Sequence, residues 1–137
     1  MKLILCKEDQ NGLMFFGKRL SMDAALRQKI LELSGERKLF VKEYTARQFE
    51  SRERLFVCAN FSAAEREDFC FAEEANPPLH AAEELYIFSW NRRYPADSFL
   101  DMKTVEDLFT PTHTEDFVGS SHPKITLNVY KRRGVEE

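Results

Sequence analysis

The chain has 137 residues, a formal charge of −3, 43% hydrophobic residues and 31% charged residues. These values are typical of a globular protein with one domain spanning 1–137. The slightly acidic charge argues against a general nucleic-acid binder, and no apolar run approaches the roughly 18 residues of a membrane helix.

Apolar runs in the first half of the chain predict short, buried strands. The first is Lys2–Lys7, which is followed by an Asn-Gly turn at Asn11–Gly12. Two further runs, Lys38–Lys42 and Arg54–Ala59, predict strands of the same kind. Helical segments are expected between and after them, at Thr45–Ser51, Ser62–Asp68 and Leu79–Glu84.

The segment Ser21–Ser34 predicts an amphipathic helix. Its apolar residues recur at helical spacing, at Met22, Ala25, Leu26, Ile30 and Leu33. We expect Ser21 to cap the helix, Asp23 to lie in its first turn and Gly35 to end it.

The last part of the chain predicts an antiparallel hairpin. Ile125, Leu127 and Val129 alternate with polar residues, a period that is typical of a strand with one buried face. The turn-rich stretch Gly119–Pro123 separates this strand from a second extended run, Leu108–Phe117.

Strands and helices alternate over the first two thirds of the chain, which implies parallel strand pairing through crossover connections. The most apolar strand, Glu84–Trp90, comes last in this series. The sequence therefore predicts an α/β fold with a mixed sheet that is mostly parallel, ends in an antiparallel hairpin and is flanked by helices.

These features together resemble a dihydrofolate reductase. The opening strand and turn of that family are similar to Lys2–Gly12, and its next strand and short helix are similar in outline to Val41–Ser51. Its terminal hairpin resembles the loop Ser120–His122 with the strand that follows. The resemblance implies a dihydrofolate reductase-like sheet and places Asp23 near the position of the family's substrate-binding acid.

The same resemblance implies a degenerate NADPH site. The family's Gly-Gly pair has no counterpart, and Lys42–Glu43 stands where the family has Gly-Arg, so an acid would repel a cofactor phosphate. The connection Phe61–Glu83 is short for the family's cofactor segment. We therefore do not expect NADPH-dependent reduction, and the identity of any cofactor stays open.

Six residues are candidates for ligand binding: Asp23, Thr45, Trp90, Asn91, Arg92 and His122. A carboxylate at the mouth of a cleft binds amide or amidine groups, although acids at helix starts more often only complement the helix dipole. In a cleft with apolar neighbours, the pKa of Asp23 is expected to rise. The aromatic and guanidinium groups at Trp90–Arg92 suit a nucleotide or another anion, or else arginines that cover core aromatics.

Two other chemistries have weaker support. Ser120–His122 places hydroxyls beside an imidazole, but no acid lies close in sequence, so a simple hairpin loop is favoured over a nucleophile pair. No metal site is expected, because His80, His113 and His122 are widely separated. The chain does not fit a ribonuclease Z, whose two zinc ions need a His-x-His-x-Asp-His cluster.

Two functions therefore stay open. The first is the binding of a pterin-like or nucleotide-like small molecule by a divergent reductase scaffold. The second is a non-catalytic interaction protein that forms a homodimer through its aromatic strands. The cysteines, each in an apolar run, predict buried reduced thiols in a cytoplasmic protein: Cys6, Cys58 and Cys70.

Overall fold

The computed structural model describes residues 1–134 and builds them around two sheets. The strands are β1 (Lys2–Lys7), β2 (Gly12–Phe15), β3 (Lys18–Arg19), β4 (Leu39–Val41), β5 (Leu55–Val57), β6 (Phe69–Phe71), β7 (Glu84–Ser89), β8 (Ser98–Phe99), β9 (Phe109–Phe117) and β10 (Ile125–Arg132). The helices are α1 (Ala24–Ser34), α2 (Glu43–Ala46), a 3-10 turn (Leu79–Ala81) and α3 (Met102–Leu108).

The main sheet has seven strands in the order β5-β4-β6-β1-β7-β10-β9. The first five are mutually parallel, as the alternation of strands and helices predicted. Strand β10 then pairs antiparallel with both β7 and β9, which confirms the terminal hairpin. A small antiparallel sheet, β3-β2-β8, lies beside the main one.

Successive residues of the central strands enter two different cores, because side chains alternate across a sheet. In β1, Leu3 and Leu5 join the cluster that includes Leu85 and Ile87 of β7. Ile4 joins the other cluster, which contains the buried face of α1. The short apolar runs of the sequence are therefore strands buried on both faces.

Helix α1 differs from its prediction at its start. Its N-cap is Asp23, whose side chain accepts a hydrogen bond from the backbone N–H of Leu26, so the expectation that Ser21 caps the helix is wrong. Met22 consequently precedes the helix and is 49% exposed instead of buried. The predicted stop is confirmed, because Gly35 adopts a φ of 52° and its N–H bonds the carbonyl of Leu31.

Other boundaries also need correction. The helix expected at Thr45–Ser51 begins earlier and is shorter, at Glu43–Ala46, and Ser62–Asp68 contains no helix. Helix α3 was not predicted from the sequence. Aspartate is a common N-cap residue, and the Asp101 carboxylate accepts hydrogen bonds from the backbone N–H and the hydroxyl of Thr104. Among residues 1–134, no helix is long and apolar enough to cross a membrane.

The buried face of β10 can be tested by truncating Leu127, which is 1% exposed and packs in the core cluster that faces α1. Leu127→Ala should lower the free energy of unfolding by about 2 to 5 kcal/mol, because it leaves a cavity in a packed core. Asn128→Ala, one residue along the strand, should cost less than about 1 kcal/mol. Equal denaturation midpoints for the two variants in urea would contradict the register.

Candidate functional site

The Asp23 carboxylate lies at the centre of a hydrogen-bond network that joins the start of α1 to the loop between β9 and β10. Its oxygens accept from the backbone N–H groups of Leu26, Ser120 and Ser121 at 3.1, 2.9 and 2.8 Å. The Ser121 hydroxyl and the Nδ1 atom of His122 also reach it, at 3.2 and 2.9 Å. Every one of these donors belongs to the protein itself.

This close approach depends on Gly119. Its N–H donates to the carbonyl of His122 at 2.9 Å and so closes a tight turn. A Cβ atom at this position would lie 2.7 Å from Asp23 Oδ2 and 2.8 Å from the His122 carbonyl oxygen, inside van der Waals contact. Glycine therefore lets the loop pack directly on the carboxylate.

Hydrogen bonds keep Asp23 ionised although it is buried. Burial by itself raises the pKa of this carboxyl, but the donors from Ser120, His122, Ser121 and Leu26 lower it, and the resulting pKa lies well below the usual value. The predicted rise in pKa is therefore wrong. The reason is that the expected apolar neighbours are replaced by polar donors from a loop that is distant in sequence.

The His122 ring is buried among four side chains. Its Nδ1 faces Asp23, and its Nε2 lies 3.2 Å from Ser21 Oγ and 2.9 Å from the Tyr94 hydroxyl. The ring stacks on Trp90 with centroids 4.6 Å apart. The structure thus brings together three of the six predicted site residues and adds Ser21 and Tyr94 to them.

A second polar cluster surrounds Glu73, just beyond the carboxyl end of β6. Arg19 donates to this carboxylate through Nε and Nη2, in the bidentate arrangement that guanidinium groups favour. The Thr45 hydroxyl and the Gln48 amide each donate to it at 3.0 Å. Thr45, the fourth predicted residue, therefore serves an internal ion pair.

A cavity of about 10 Å³ lies where the two clusters meet, and Arg19, Ser21, Glu73 and Trp90 are among its lining residues. That volume holds about one water molecule. The crevice beyond the carboxyl ends of β1, β6 and β7 is thus filled by the chain's own side chains.

Asn91 and Arg92, the remaining predicted residues, are exposed. The Asn91 amide donates to the carbonyl of Lys124 and to the hydroxyl of Thr126, and its backbone has a φ of 57°. The Arg92 guanidinium lies 5.8 Å from the Tyr94 ring centroid. Neither side chain contacts His122 or Asp23.

A larger groove, with a cavity volume of about 550 Å³, lies on another part of the surface. Its lining contains two cationic side chains, an aromatic ring, polar loop residues and the N-terminal residue: Met1, Lys42, Asn60, Phe61, Ser62, Ala64, Arg66, Glu74, Pro78, Ala81 and Glu83. Lys42 Nζ lies 2.8 Å from Glu74 and 5.2 Å from the Phe61 ring centroid. The sequence did not mark this groove, because its residues come from four separate segments.

Comparison with known proteins identifies the fold. Dihydrofolate reductase from Enterococcus faecalis, solved with NADP(H) and RAB-propyl, superimposes with a TM-score of 0.66 at 11% sequence identity. The match covers 96% of this chain and 95% of that enzyme. No protein-family model and no curated protein matches the sequence. The chain therefore has a dihydrofolate reductase-like fold, as the sequence resemblance implied.

The Asp23 network predicts a pH-dependent stability. Because the folded state lowers the pKa of Asp23, its ionised form stabilises the fold above the unfolded-state pKa of about 3.9, and this contribution fades as the pH falls below that value. Asp23→Asn should lower the free energy of unfolding at pH 7 by about 1 to 3 kcal/mol, since one of the two oxygens that accept from the protein's donors becomes an NH2 group. The difference from wild type should narrow toward about pH 2.

Asp101→Asn is the matched control, because Asp101 caps α3 at an exposed position. Asparagine and aspartate cap helices about equally well, so this change should leave the free energy of unfolding nearly the same. Urea denaturation across the pH range measures both variants. An Asp23→Asn effect no larger than that of Asp101→Asn would contradict the network's role.

Proposed function

We propose that this dihydrofolate reductase-like domain binds a nucleotide-like anion in the groove lined by Lys42, Phe61 and Arg66. The main observation that supports this proposal is the size of the groove. Its volume of about 550 Å³ lies within the range of roughly 300 to 1,000 Å³ that small-molecule sites occupy.

The position of the groove supports this proposal. Lys42 follows the carboxyl end of β4, Asn60 lies just beyond β5, and Glu74 lies just beyond β6. Ligands of open α/β sheets bind in crevices outside the carboxyl ends of the strands. One end of the groove is therefore formed by the loops after three neighbouring parallel strands, and its other end is lined by Met1 and Glu83, which precede β1 and β7.

The chemistry of the groove favours an anion with a planar group. The Lys42 ammonium group is only partly exposed and is held at the groove by Glu74 and by the Phe61 ring. Arg66 adds a second, exposed cation, and the half-buried Phe61 ring offers a face on which a base can stack. The groove also contains two carboxylates, but Glu74 is paired with Lys42 and Glu83 is paired with the N-terminal ammonium group. A phosphate would accept charge-assisted hydrogen bonds from Lys42 and Arg66.

Glu43, the acid expected to repel a phosphate, is neutralised locally. Its carboxylate pairs with Arg52 and Arg47, and the hydrogen bonds of these guanidinium groups lower the pKa of Glu43 to about 2. The side chain does not line the groove. Its charge therefore has less effect on an anion beside Lys42 than the sequence suggested.

A nucleotide-like ligand is favoured over a pterin-like one. A pterin needs a carboxylate with free acceptor sites, and the oxygens of Asp23 already accept from five protein donors. The crevice beside Asp23 also has little room, since Trp90 and the His122 ring occupy it.

The residues at the end of β7 do not fit a nicotinamide cofactor. The chain contains no Gly-Gly pair, and Trp90, which follows the last residue of β7, is buried against the His122 ring. These features argue against reductive chemistry with a nicotinamide cofactor.

The alternative function, self-association, is favoured by one observation. The tip of the β2–β3 hairpin exposes Phe16, 77% accessible, next to Phe15, which is 37% accessible, and the neighbouring strand β8 exposes Phe99, 55% accessible, opposite Gly12. Exposed aromatic patches of this kind commonly mark interaction surfaces. A concentration-dependent dimer that does not respond to ligands would favour this function over nucleotide binding.

Lys42→Met tests the proposed groove. Calorimetric titration with ADP should show at least about tenfold weaker binding for this variant than for wild type, equivalent to ~1.4 kcal/mol for the loss of a charge-assisted bond. Lys103→Met, on the exposed surface of α3, makes the same change in net charge and should leave the affinity unchanged. Equal ADP affinity in all three proteins, or no binding to wild type, would contradict the proposal.

The purified protein should not reduce dihydrofolate with NADPH. The reason is the combination of a filled crevice at Trp90 and an Asp23 carboxylate whose acceptor sites are occupied. A steady-state absorbance assay, run beside an active dihydrofolate reductase, measures the rate. Turnover above the uncatalysed background would show that the crevice opens and that this expectation is wrong.

A further inference from the structure

We infer that Ser21 is a nucleophile activated by His122, with Asp23 as the residue that positions the imidazole. The Oγ atom of Ser21 lies 3.2 Å from His122 Nε2, and His122 Nδ1 lies 2.9 Å from Asp23 Oδ2. A serine, an imidazole and a carboxylate in this sequence of contacts form the arrangement that activates serine for acyl transfer. This inference goes beyond nucleotide binding and does not depend on it.

The hydrogen bonds assign the proton positions. Asp23 is ionised and can only accept, so His122 Nδ1 carries the proton that is donated to it. In the neutral imidazole, Nε2 is then an acceptor that faces Ser21 and Tyr94. The Tyr94 hydroxyl lies 2.9 Å from Nε2 and 3.3 Å from Ser21 Oγ, and when it donates to Ser21 Oγ the Ser21 proton is free to be directed at Nε2.

The imidazole is held rigidly in this orientation. Its ring is 3% exposed and stacks on Trp90 at an interplanar angle of 26°. Asp23 is fixed in turn by the backbone N–H groups of Ser120 and Ser121. A general base must be placed within hydrogen-bond distance of the proton that it removes, and His122 meets this geometric requirement.

Of the three residues of this inference, Asp23 and His122 are buried, whereas Ser21 is only partly buried, so its hydroxyl is the group that solvent can reach. The same serine lines the cavity of about 10 Å³, which holds about one water molecule and is also lined by Arg19 and Glu73. The acyl group of a carboxylic ester, the substrate class of this chemistry, must therefore approach Ser21 from its exposed side.

The acyl transfer proceeds through an acyl-serine ester. Ser21 Oγ attacks the ester carbonyl carbon, and the Ser21 hydroxyl proton passes to His122 Nε2. The bond between the carbonyl carbon and the alkoxy oxygen then breaks, and the same proton passes from His122 to that leaving oxygen. Water then adds to the acyl-serine ester with His122 again as the base, which releases the carboxylic acid and restores Ser21. No metal, cofactor or oxidant is required.

A fluorophosphonate probe tests the nucleophile directly. Ser21 Oγ would form a bond to phosphorus, fluoride would leave and the serine proton would pass to His122. We expect a single adduct by intact-protein mass spectrometry, with peptide mapping that places it on Ser21. Ser21→Ala should abolish the adduct, and Ser51→Ala, which changes an exposed serine in another loop, should retain it.

The contribution of the network is measured from labelling rates. Activation by a positioned base contributes about a hundredfold or more, so urea-unfolded wild type and folded His122→Gln should both label at least about a hundredfold more slowly than native wild type. If His122→Gln does not fold, the comparison between native and unfolded wild type still decides the result. Hydrolysis of p-nitrophenyl acetate should likewise disappear in Ser21→Ala.

Three results would overturn the inference. The first is the absence of an adduct on native protein under conditions that label a known serine hydrolase. The second is an adduct on another serine that survives Ser21→Ala. The third is an equal labelling rate in native and unfolded protein. A failure of ADP binding would leave this result unaffected, because among residues 1–134 only Glu74 lines both the groove and the small cavity.

Discussion

One buried carboxylate constrains the whole C-terminal part of this fold. Asp23 accepts hydrogen bonds from Ser120, Ser121 and His122, which lie 97 to 99 residues further along the chain. An unpaired carboxylate in that position would be very costly to bury, so the loop that supplies the donors is held firmly against the start of α1. Gly119 permits this contact because any side chain there would collide with the carboxylate.

The same constraint decides what the crevice contains. Holding the loop against α1 places the His122 ring on Trp90 and under the hydroxyls of Ser21 and Tyr94. The Arg19–Glu73 ion pair fills the other side of the crevice. Open α/β sheets commonly bind ligands outside the carboxyl ends of their strands, but here the chain's own side chains fill that crevice, so the fold alone does not determine function.

Much of the secondary structure could be predicted from local patterns. Apolar runs identified the central strands, and the period of two in Ile125–Tyr130 identified the terminal hairpin, because strand side chains alternate between two faces. Gly35 marked the end of α1 correctly. The start of α1 was predicted wrongly because Ser21 and Asp23 are both good capping residues: Asp23 accepts from the N–H of Leu26, whereas the Ser21 hydroxyl lies against the distant His122 ring.

The sequence by itself determined the α/β class and the parallel-then-antiparallel order of the strands, since both follow from periodicities that neighbouring residues express. The tertiary structure alone decided the chemistry of the site. The acid that His122 lacks among its sequence neighbours is Asp23, and the hydroxyl opposite it belongs to Ser21, 101 residues away. Hydrogen bonds form between groups that the fold brings within about 3 Å of each other, and no local sequence pattern indicates which distant groups will be brought together.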